Sequence, residues 1–201
     1  MTNVYEIITE IRTYAKENNV PIMLDDGIEY LTNYIIKNKI TSVLEIGTAI
    51  GYSAIMMALA NPSLTVTTIE RDEKRYLEAL KNIKKLNLEN RITLIFNDAL
   101  DVNITEKFDL IFIDAAKAQS IKFFEKFEKN LNPNGVIITD NIKFHGLVAK
   151  NEEEIESRNL RALVRKVKEY ITYLKTNDRY ETEFLELGDG ISISKKIDSK
   201  K

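Results

Sequence analysis

The chain has 201 residues, of which 44% are hydrophobic and 30% are charged, and its formal net charge is −2. This composition is typical of a soluble globular protein, and the length suffices for one domain with a full hydrophobic core. The absence of cysteine excludes disulfides, thiolate metal sites and a thiol nucleophile. With no apolar run of about 18 residues and no secretory signal, we expect neither a membrane span nor export, and therefore a cytoplasmic location.

Short runs rich in valine and isoleucine alternate with segments of helical period. The runs predict five buried parallel strands at Ser42–Ile46, Thr65–Ile69, Ile92–Phe96, Phe108–Ile113 and Gly135–Thr139. The helical segments before and between them are Val4–Glu17, Leu24–Asn38, Tyr52–Ala60, Asp72–Leu88 and Ser120–Asn130. Such alternation predicts a parallel sheet with helices on both faces.

The pattern changes after the fifth strand. Glu156–Thr176 is predicted to form one long charged helix, and two strand-like segments follow it, Tyr180–Leu187 and Ile191–Lys195. The turn residues Gly188-Asp189-Gly190 between these segments predict a hairpin, which would add an antiparallel pair to the sheet. We therefore predict a single α/β domain over residues 1–201, with a doubly wound, mostly parallel, seven-stranded sheet.

A glycine-containing segment, Glu45–Ser53, spans the end of the first predicted strand and the start of the next helix. Gly47 and Gly51 allow a tight turn, but their spacing differs from the dinucleotide pattern, so a ligand without pyrophosphate is favoured. At the ends of the next two strands, Glu70 suits the hydroxyls of a ribose and Asn97-Asp98-Ala99 suits an adenine amino group. Together these features predict an adenosine ligand, although glycine turns and acidic strand ends occur in many α/β proteins.

Asp114, Asp140 and Asn141 follow the fourth and fifth predicted strands. If those strands are neighbours, the three side chains meet at the edge that holds the ligand, and their hard oxygen atoms favour Mg²⁺, Mn²⁺ or Ca²⁺. A substrate with two vicinal oxygens could then chelate the ion. Lys117, three residues after Asp114, is a candidate general base. Spacing alone leaves another interpretation equally open, in which Asp140-Asn141 forms a turn and Lys117 is a solvated residue at a helix start.

Four segments resemble one known family, the metal-dependent O-methyltransferases related to catechol and caffeoyl-CoA methyltransferases. They are Glu-Ile-Gly-Thr-Ala-Ile-Gly-Tyr-Ser (45–53), Ile-Asp-Ala-Ala-Lys (113–117), Thr-Asp-Asn (139–141) and Gly-Asp-Gly (188–190). The resemblance spans nearly the whole chain. It implies a Rossmann-like methyltransferase fold, S-adenosyl-L-methionine as methyl donor, Mg²⁺ as the metal and assembly as a homodimer.

Within that family, the chain looks most like the bacterial branch that methylates 5-hydroxyuridine in the tRNA anticodon loop to 5-methoxyuridine. The likeness is carried by Val20–Met23, by Gly146–Ala149 and by Arg158–Arg161. It implies roles for individual residues in binding the metal, in catalysis and in binding the methyl donor. The implied metal ligands are Asp114, Asp140 and Asn141; the implied catalytic residues are Lys117 and Asp114; the implied cofactor contacts are Met23, Glu45, Gly47, Ser53, Glu70, Asp98, Ala99 and Asp114.

The sequence defines the substrate less well than the methyl donor. A basic cluster on the long helix, Arg158–Lys168, could follow RNA phosphates or could be a solvated face paired with the preceding glutamates. His145, the only histidine, could be catalytic, although a lone histidine is more often a polar loop residue. A small-molecule O-methyltransferase acting on catechol-like phenols and a non-catalytic adenosine-binding module are the alternative interpretations.

Overall fold

The computed structural model describes residues 3–197, so residues 1, 2 and 198–201 of the predicted domain lie outside the described residues. Its helices are α1 (Val4–Glu17), α2 (Asp25–Lys37), α3 (Tyr52–Ala60), α4 (Glu73–Lys85), α5 (Ser120–Phe127) and α6 (Arg158–Thr176). Its strands are β1 (Ser42–Ile46), β2 (Thr65–Glu70), β3 (Ile92–Phe96), β4 (Phe108–Ile113), β5 (Leu131–Asp140), β6 (Tyr180–Leu185) and β7 (Ile191–Lys196). None of the helices between residues 3 and 197 is both long and apolar enough to cross a membrane.

All seven strands form one sheet in the order β3-β2-β1-β4-β5-β7-β6. Neighbouring strands among β1 to β5 pair in parallel, whereas β7 pairs antiparallel with both β5 and β6. This topology confirms the predicted doubly wound sheet with its C-terminal antiparallel hairpin. The strand order reverses between β1 and β4, and sheets of this kind bind ligands at the carboxyl ends of the strands beside such a reversal.

The sheet is buried between two hydrophobic layers. Leu110 and Phe112 of β4 belong to the layer that contains residues of α1, α2 and α3, whereas Ile111 and Ile113 belong to the layer that contains residues of α5 and α6. This alternation is the period-two pattern of a strand buried on both faces. Because helices cover both faces, the carboxyl ends of the central strands are where a ligand can reach them.

The helices α4 and α6, like α1, begin directly after a residue whose side chain caps the first turn. Asp72 accepts the backbone N–H of Arg75 at the start of α4, and Ser157 accepts the N–H of Leu160 at the start of α6. A capping residue has non-helical backbone angles, so each helix begins one residue after its cap. The helices α4 and α6 therefore start slightly later than the hydrophobic pattern predicts.

Candidate active site

A cavity of about 480 Å³ opens at the carboxyl ends of the parallel strands. Most of the predicted site residues lie on its wall, and all of these except Met23 end a strand or follow one within four residues. The predicted residues on the wall are Met23, Gly47, Glu70, Asp98, Ala99, Asp114, Lys117, Asp140 and Asn141. The structure thus brings the predicted cofactor and metal residues into one site, as expected for neighbouring parallel strands.

Gly47 joins the loop after β1 to the end of β4. Its φ angle is +101°, a conformation that side chains with a Cβ rarely adopt, and a Cβ built on it would lie 2.3 Å from the carbonyl oxygen of Asp114. Only glycine fits this close approach of two backbones. Gly51, with a φ angle of +85°, then caps α3 in a left-handed conformation. The glycine segment therefore places the loop after β1 directly against the residue that begins the predicted metal site.

The carboxylate of Glu70 is held by three backbone amides. Its Oε2 accepts the N–H of Ala49 at 2.7 Å, while its Oε1 accepts the N–H groups of Arg71 at 2.9 Å and Asp72 at 2.8 Å. A carboxylate has about four acceptor positions, so roughly one remains for a ligand hydroxyl. Glu70 thus has a fixed orientation on the cavity wall, which suits the recognition of a ribose.

Asp98 is fixed in the same way at the end of β3. Its Oδ1 accepts the N–H of Leu100 at 2.8 Å, and the guanidinium of Arg71 donates to its Oδ2 at 3.0 Å. The hydrogen bond from the Leu100 amide and the nearby Arg71 charge lower the pKa of Asp98. Asp98 is therefore an ionised acceptor, and the buried Ala99 beside it supplies an apolar part of the wall.

Glu45 and Ser53 do not line the cavity. The fully buried carboxylate of Glu45 accepts the hydroxyls of Ser53 and Thr68, each at 2.5 Å. Burial raises the pKa of Glu45 to about 7, although these two hydrogen bonds act in the opposite direction. This hydrogen-bonded pair joins β1 to the start of α3 and so stabilises the loop between them. The cofactor contacts implied for Glu45 and Ser53 remain predictions.

The other side of the cavity contains the predicted metal ligands. Asp140 is almost fully buried, and its Oδ1 accepts the N–H of Asn141 at 2.7 Å. Burial and the adjacent negative charge of Asp114 raise the pKa of Asp140 to about 7. The ammonium group of Lys117 donates to Asp114 Oδ1 at 2.8 Å and to the carbonyl oxygen of Asp140 at 3.4 Å. Lys117 is thus a cavity residue in direct contact with the acidic pair.

The side chains of Asp114, Asp140 and Asn141 offer oxygen atoms as ligands for a cation. Between residues 3 and 197, no three histidine or acidic side chains form a group that could hold a metal ion. A cation bound by Asp114 and Asp140 would therefore take its third protein ligand from the carboxamide of Asn141. Two carboxylates and one carboxamide are a hard donor set that fits Mg²⁺ better than a soft transition metal.

Sequence reasoning missed several cavity residues. Asp189 was interpreted as part of a hairpin turn and Gln119 was given no role, yet both lie on the cavity wall, as do Phe144 and His145, of which His145 was already a possible catalytic residue. Phe144 and His145 both have positive φ angles, near +50°, which no residue pattern indicates. The one available signal for Asp189 is that an acidic residue stands between two glycines in a segment that resembles a family motif.

The basic cluster on α6 is largely engaged in local contacts. Arg161 donates to the carbonyl oxygens of Ile155 and Glu156, and Arg165 pairs with Glu152. Lys166 pairs with Glu169, and such surface pairs contribute little stability. The structure therefore favours a locally paired, solvated face for most of this cluster.

Comparison with known proteins agrees with this geometry. The model of the O-methyltransferase family matches residues 2–197 of the chain. Caffeoyl-CoA O-methyltransferase of Populus kitakamiensis is 27% identical, over 92% of this chain and 82% of that protein. The crystal structure of a proposed caffeoyl-CoA O-methyltransferase from Staphylococcus aureus is 40% identical and has a TM-score of 0.89, over 94% of this chain and 92% of that one.

A further structure bears on the methyl donor. An O-methyltransferase from Bacillus cereus, solved in complex with SAH, is 26% identical and has a TM-score of 0.82, over 98% of this chain and 93% of that one. The family match, the shared fold and the adenosine-type side of the cavity support one assignment. The chain belongs to the O-methyltransferase family and is an S-adenosylmethionine-dependent methyltransferase.

Proposed function

We propose that this protein is a Mg²⁺-dependent O-methyltransferase that converts 5-hydroxyuridine in the tRNA anticodon loop to 5-methoxyuridine. The observation that carries the proposal is the meeting of Asp114, Asp140 and Asn141 in the same cavity as Glu70 and Asp98. One side of the cavity is built for the methyl donor, and the other side offers an oxygen-rich site for a cation and a chelating acceptor.

Asp114, Asp140 and Asn141 would hold the Mg²⁺ ion, and the electrostatics of the site support this assignment. Burial, and then the neighbouring negative charge of Asp114, raise the pKa of Asp140 to about 7. A divalent cation would relieve that repulsion. When bound, it would lower the pKa of a chelated hydroxyl and fix that hydroxyl near the methyl donor.

Lys117 is placed to receive the proton that methyl transfer releases. Its ammonium group already contacts Asp114 on the cavity wall, so its amine would lie beside a hydroxyl held at the metal site. In the reaction, the acceptor oxygen forms a bond to the methyl carbon, the bond from that carbon to sulfur breaks, and the hydroxyl proton passes to a base. We assign Lys117 as that base, because general bases act within hydrogen-bond distance of the proton they take; only its neutral amine can accept the proton, so the ammonium must first release its own proton to solvent.

The uracil ring of 5-hydroxyuridine supplies the pair of vicinal oxygens that this site requires. Its 4-carbonyl and 5-hydroxyl correspond to the two oxygens of a catechol. The bacterial tRNA branch is favoured by the sequence likeness at Val20–Met23, Gly146–Ala149 and Arg158–Arg161. A small-molecule reaction is the second candidate, because relatives are described as caffeoyl-CoA O-methyltransferases and a catechol-like phenol offers the same chelating pair.

Methyl transfer from labelled S-adenosylmethionine tests the proposal. We expect transfer to tRNA that carries 5-hydroxyuridine, no transfer to the same tRNA with unmodified uridine, and loss of transfer when EDTA removes the metal. Transfer to catechols but not to tRNA would replace the tRNA proposal with the small-molecule one. Sedimentation of the same preparation would test the homodimer that the family resemblance implies.

A further inference from the structure

The hairpin turn Gly188–Gly190 holds the loop that follows the predicted metal ligands. The N–H of Ile142 donates to the carbonyl oxygen of Gly190 at 3.0 Å, and the N–H of Lys143 donates to that of Asp189 at 2.8 Å. The N–H of His145 donates to Asp189 Oδ1 at 2.5 Å. Asp189 therefore uses its backbone and one carboxylate oxygen to fix the loop on the substrate side of the cavity.

The second carboxylate oxygen of Asp189 has no such role. Oδ2 is buried and has no hydrogen-bond partner among the described residues, and only 6% of the side chain is exposed. The Nδ1 atom of the His145 ring lies 3.5 Å from Oδ2, without hydrogen-bond geometry. Buried carboxylate oxygens are nearly always paired, because leaving one unpaired costs free energy of folding. An unpaired acceptor on a cavity wall therefore indicates a ligand that donates to it.

The surroundings of Asp189 define the chemistry of that ligand. Asp114 and Asp140 line the same cavity, and the Mg²⁺ ion that we propose they bind would balance their charge, so the charge next to a ligand at Oδ2 is that of Asp189 itself. An anionic group would be repelled there, whereas an N–H or O–H donor would be attracted. Asp189 is also not part of a three-acid group that could bind a metal, since no such group exists between residues 3 and 197. The donor is thus best supplied by the methyl acceptor.

We propose that Asp189 is a specificity-determining residue whose Oδ2 accepts a hydrogen bond from a donor adjacent to the two chelating oxygens of the acceptor. This inference rests on the proposed function, since in 5-hydroxyuridine the donor is the uracil N3–H beside the 4-carbonyl. A catechol carries only C–H groups beside its two oxygens. Asp189 would therefore favour the uracil ring over a catechol ring at the same metal site.

The Asp189→Asn substitution tests the hydrogen bond to the methyl acceptor separately from the hydrogen bonds that hold the loop. The asparagine carbonyl can still accept the His145 N–H, but an NH₂ group replaces the free carboxylate oxygen and opposes the uracil N3–H. We expect kcat/KM for an anticodon stem-loop carrying 5-hydroxyuridine to fall by about 10- to 100-fold, mainly through KM. Transfer to catechol, where the wild type supports it, should fall by less than about threefold. Calorimetry should show unchanged affinities for S-adenosylmethionine and Mg²⁺.

Asp26→Asn is the matched control. Asp26 of α2 accepts the N–H of Gly188 through Oδ2, so this change removes one charge that contacts the same hairpin without altering the cavity wall. Its kcat/KM should stay near the wild-type value. His145→Gly removes the neighbouring ring at a position where a positive φ angle suits glycine. It should keep the preference for the stem-loop over catechol.

Each contrary outcome has a distinct meaning. If wild-type protein methylates the stem-loop but Asp189→Asn does so equally well, the specificity role of Asp189 is wrong and the proposed function stands. The role is equally wrong if Asp189→Asn weakens Mg²⁺ binding, or if His145→Gly reproduces the loss, because the partner of Oδ2 would then be metal-bound water or His145. If wild-type protein does not methylate the stem-loop, the proposed function fails and this inference fails with it.

Discussion

The carboxylates on the two sides of the cavity differ in how many hydrogen bonds they accept from the protein. On the cofactor side, Glu70 accepts three backbone amides, and Asp98 accepts one amide and one guanidinium. On the side of the proposed metal ligands, called the metal side below, Asp140 accepts one backbone amide and has a raised pKa, and Asp189 has a buried oxygen without a hydrogen-bond partner among residues 3–197. The cofactor side is therefore organised before any ligand binds, whereas the metal side depends on ligands to complete its hydrogen bonds and balance its charge.

This difference predicts that substitutions on the two sides affect different measurable quantities. Changes on the cofactor side should weaken S-adenosylmethionine binding by moderate factors, because a network of several amides remains. Substitutions of Asp140 and Lys117, which we propose to act on the reacting oxygens, should reduce turnover strongly and change cofactor affinity only slightly.

Asp140→Asn should have the largest effect. Replacing one of the two carboxylates that we propose as ligands would weaken the metal site, and we expect kcat to fall by at least about 10³-fold, because a bound metal ion can supply several kcal/mol of transition-state stabilisation. Affinity for S-adenosylmethionine, measured by calorimetry, should change by less than about threefold. Asp101→Asn, at an exposed position away from the cavity wall, is the control. Full activity of Asp140→Asn would show that the metal side is not used in catalysis.

Lys117→Arg should lower kcat by about 10²-fold or more, since arginine keeps the positive charge beside Asp114 but cannot act as a base near neutral pH. Single-turnover rates with saturating cofactor measure the effect on the chemical step. Lys122→Arg, on the exposed surface of α5, should behave as wild type. If Lys117→Arg retains the wild-type rate, Lys117 only neutralises charge and another group takes the proton.

Glu45→Gln tests the support beneath the cofactor side through its pH dependence. Burial raises the pKa of Glu45 from 4.5 to about 7, so the folded protein retains a proton that the unfolded chain loses. Wild-type stability from this group is therefore fully present below pH 4.5 and is lost as pH rises towards 7. Glutamine does not titrate, so the Glu45→Gln variant does not show this loss of stability with rising pH. The unfolding free energy of the variant, minus that of the wild type, should increase by about 2–3 kcal/mol between pH 5 and pH 8.

Urea denaturation at both pH values measures this difference. The cofactor affinity of Glu45→Gln at pH 8 should remain close to that of the wild type, since Glu45 does not line the cavity. A pH-independent difference between the two proteins would mean that Glu45 is ionised in the folded state at pH 5. A large loss of cofactor affinity would instead restore the direct contact implied by the family resemblance.

Glu70→Gln should have the smallest effect. The glutamine oxygen can still accept the amides of Arg71 and Asp72, but the amide of Ala49 loses its acceptor. We expect about tenfold weaker S-adenosylmethionine binding, equivalent to about 1.4 kcal/mol, and little change in kcat at saturating cofactor. Glu73→Gln, exposed in the first turn of α4, is the matched control. A loss in kcat alone would contradict the separation between the two sides.

Features that depend on neighbouring residues in the sequence were predictable. The strands and helices follow from hydrophobic period, and the carboxyl ends of parallel strands must lie at one edge. For this reason Glu70, Asp98, Asp114 and Asp140 could be assigned to one site before the structure was known. Their chemistry then favoured an adenosine ligand beside a hard cation.

Features that depend on distant pairings were not predictable. Glu45 turns away from the cavity because Thr68, its direct partner on the adjacent strand β2, supplies a hydroxyl to its carboxylate. Asp189 reaches the cavity because β7 pairs with β5, which places the hairpin turn against the loop after Asn141. Neither strand pairing can be derived from local pattern, since register and strand order are set by the whole sheet.

The contact between Gly47 and Asp114 has a consequence for how the two ligands bind. The first loop and the end of β4 are so close that a Cβ would lie 2.3 Å from the Asp114 carbonyl oxygen, so neither backbone can shift without moving the other. A cofactor that fixes the position of the loop after β1 would therefore also fix the position of Asp114. We expect thermodynamic coupling: the factor by which S-adenosylmethionine changes Mg²⁺ affinity must equal the factor by which Mg²⁺ changes S-adenosylmethionine affinity.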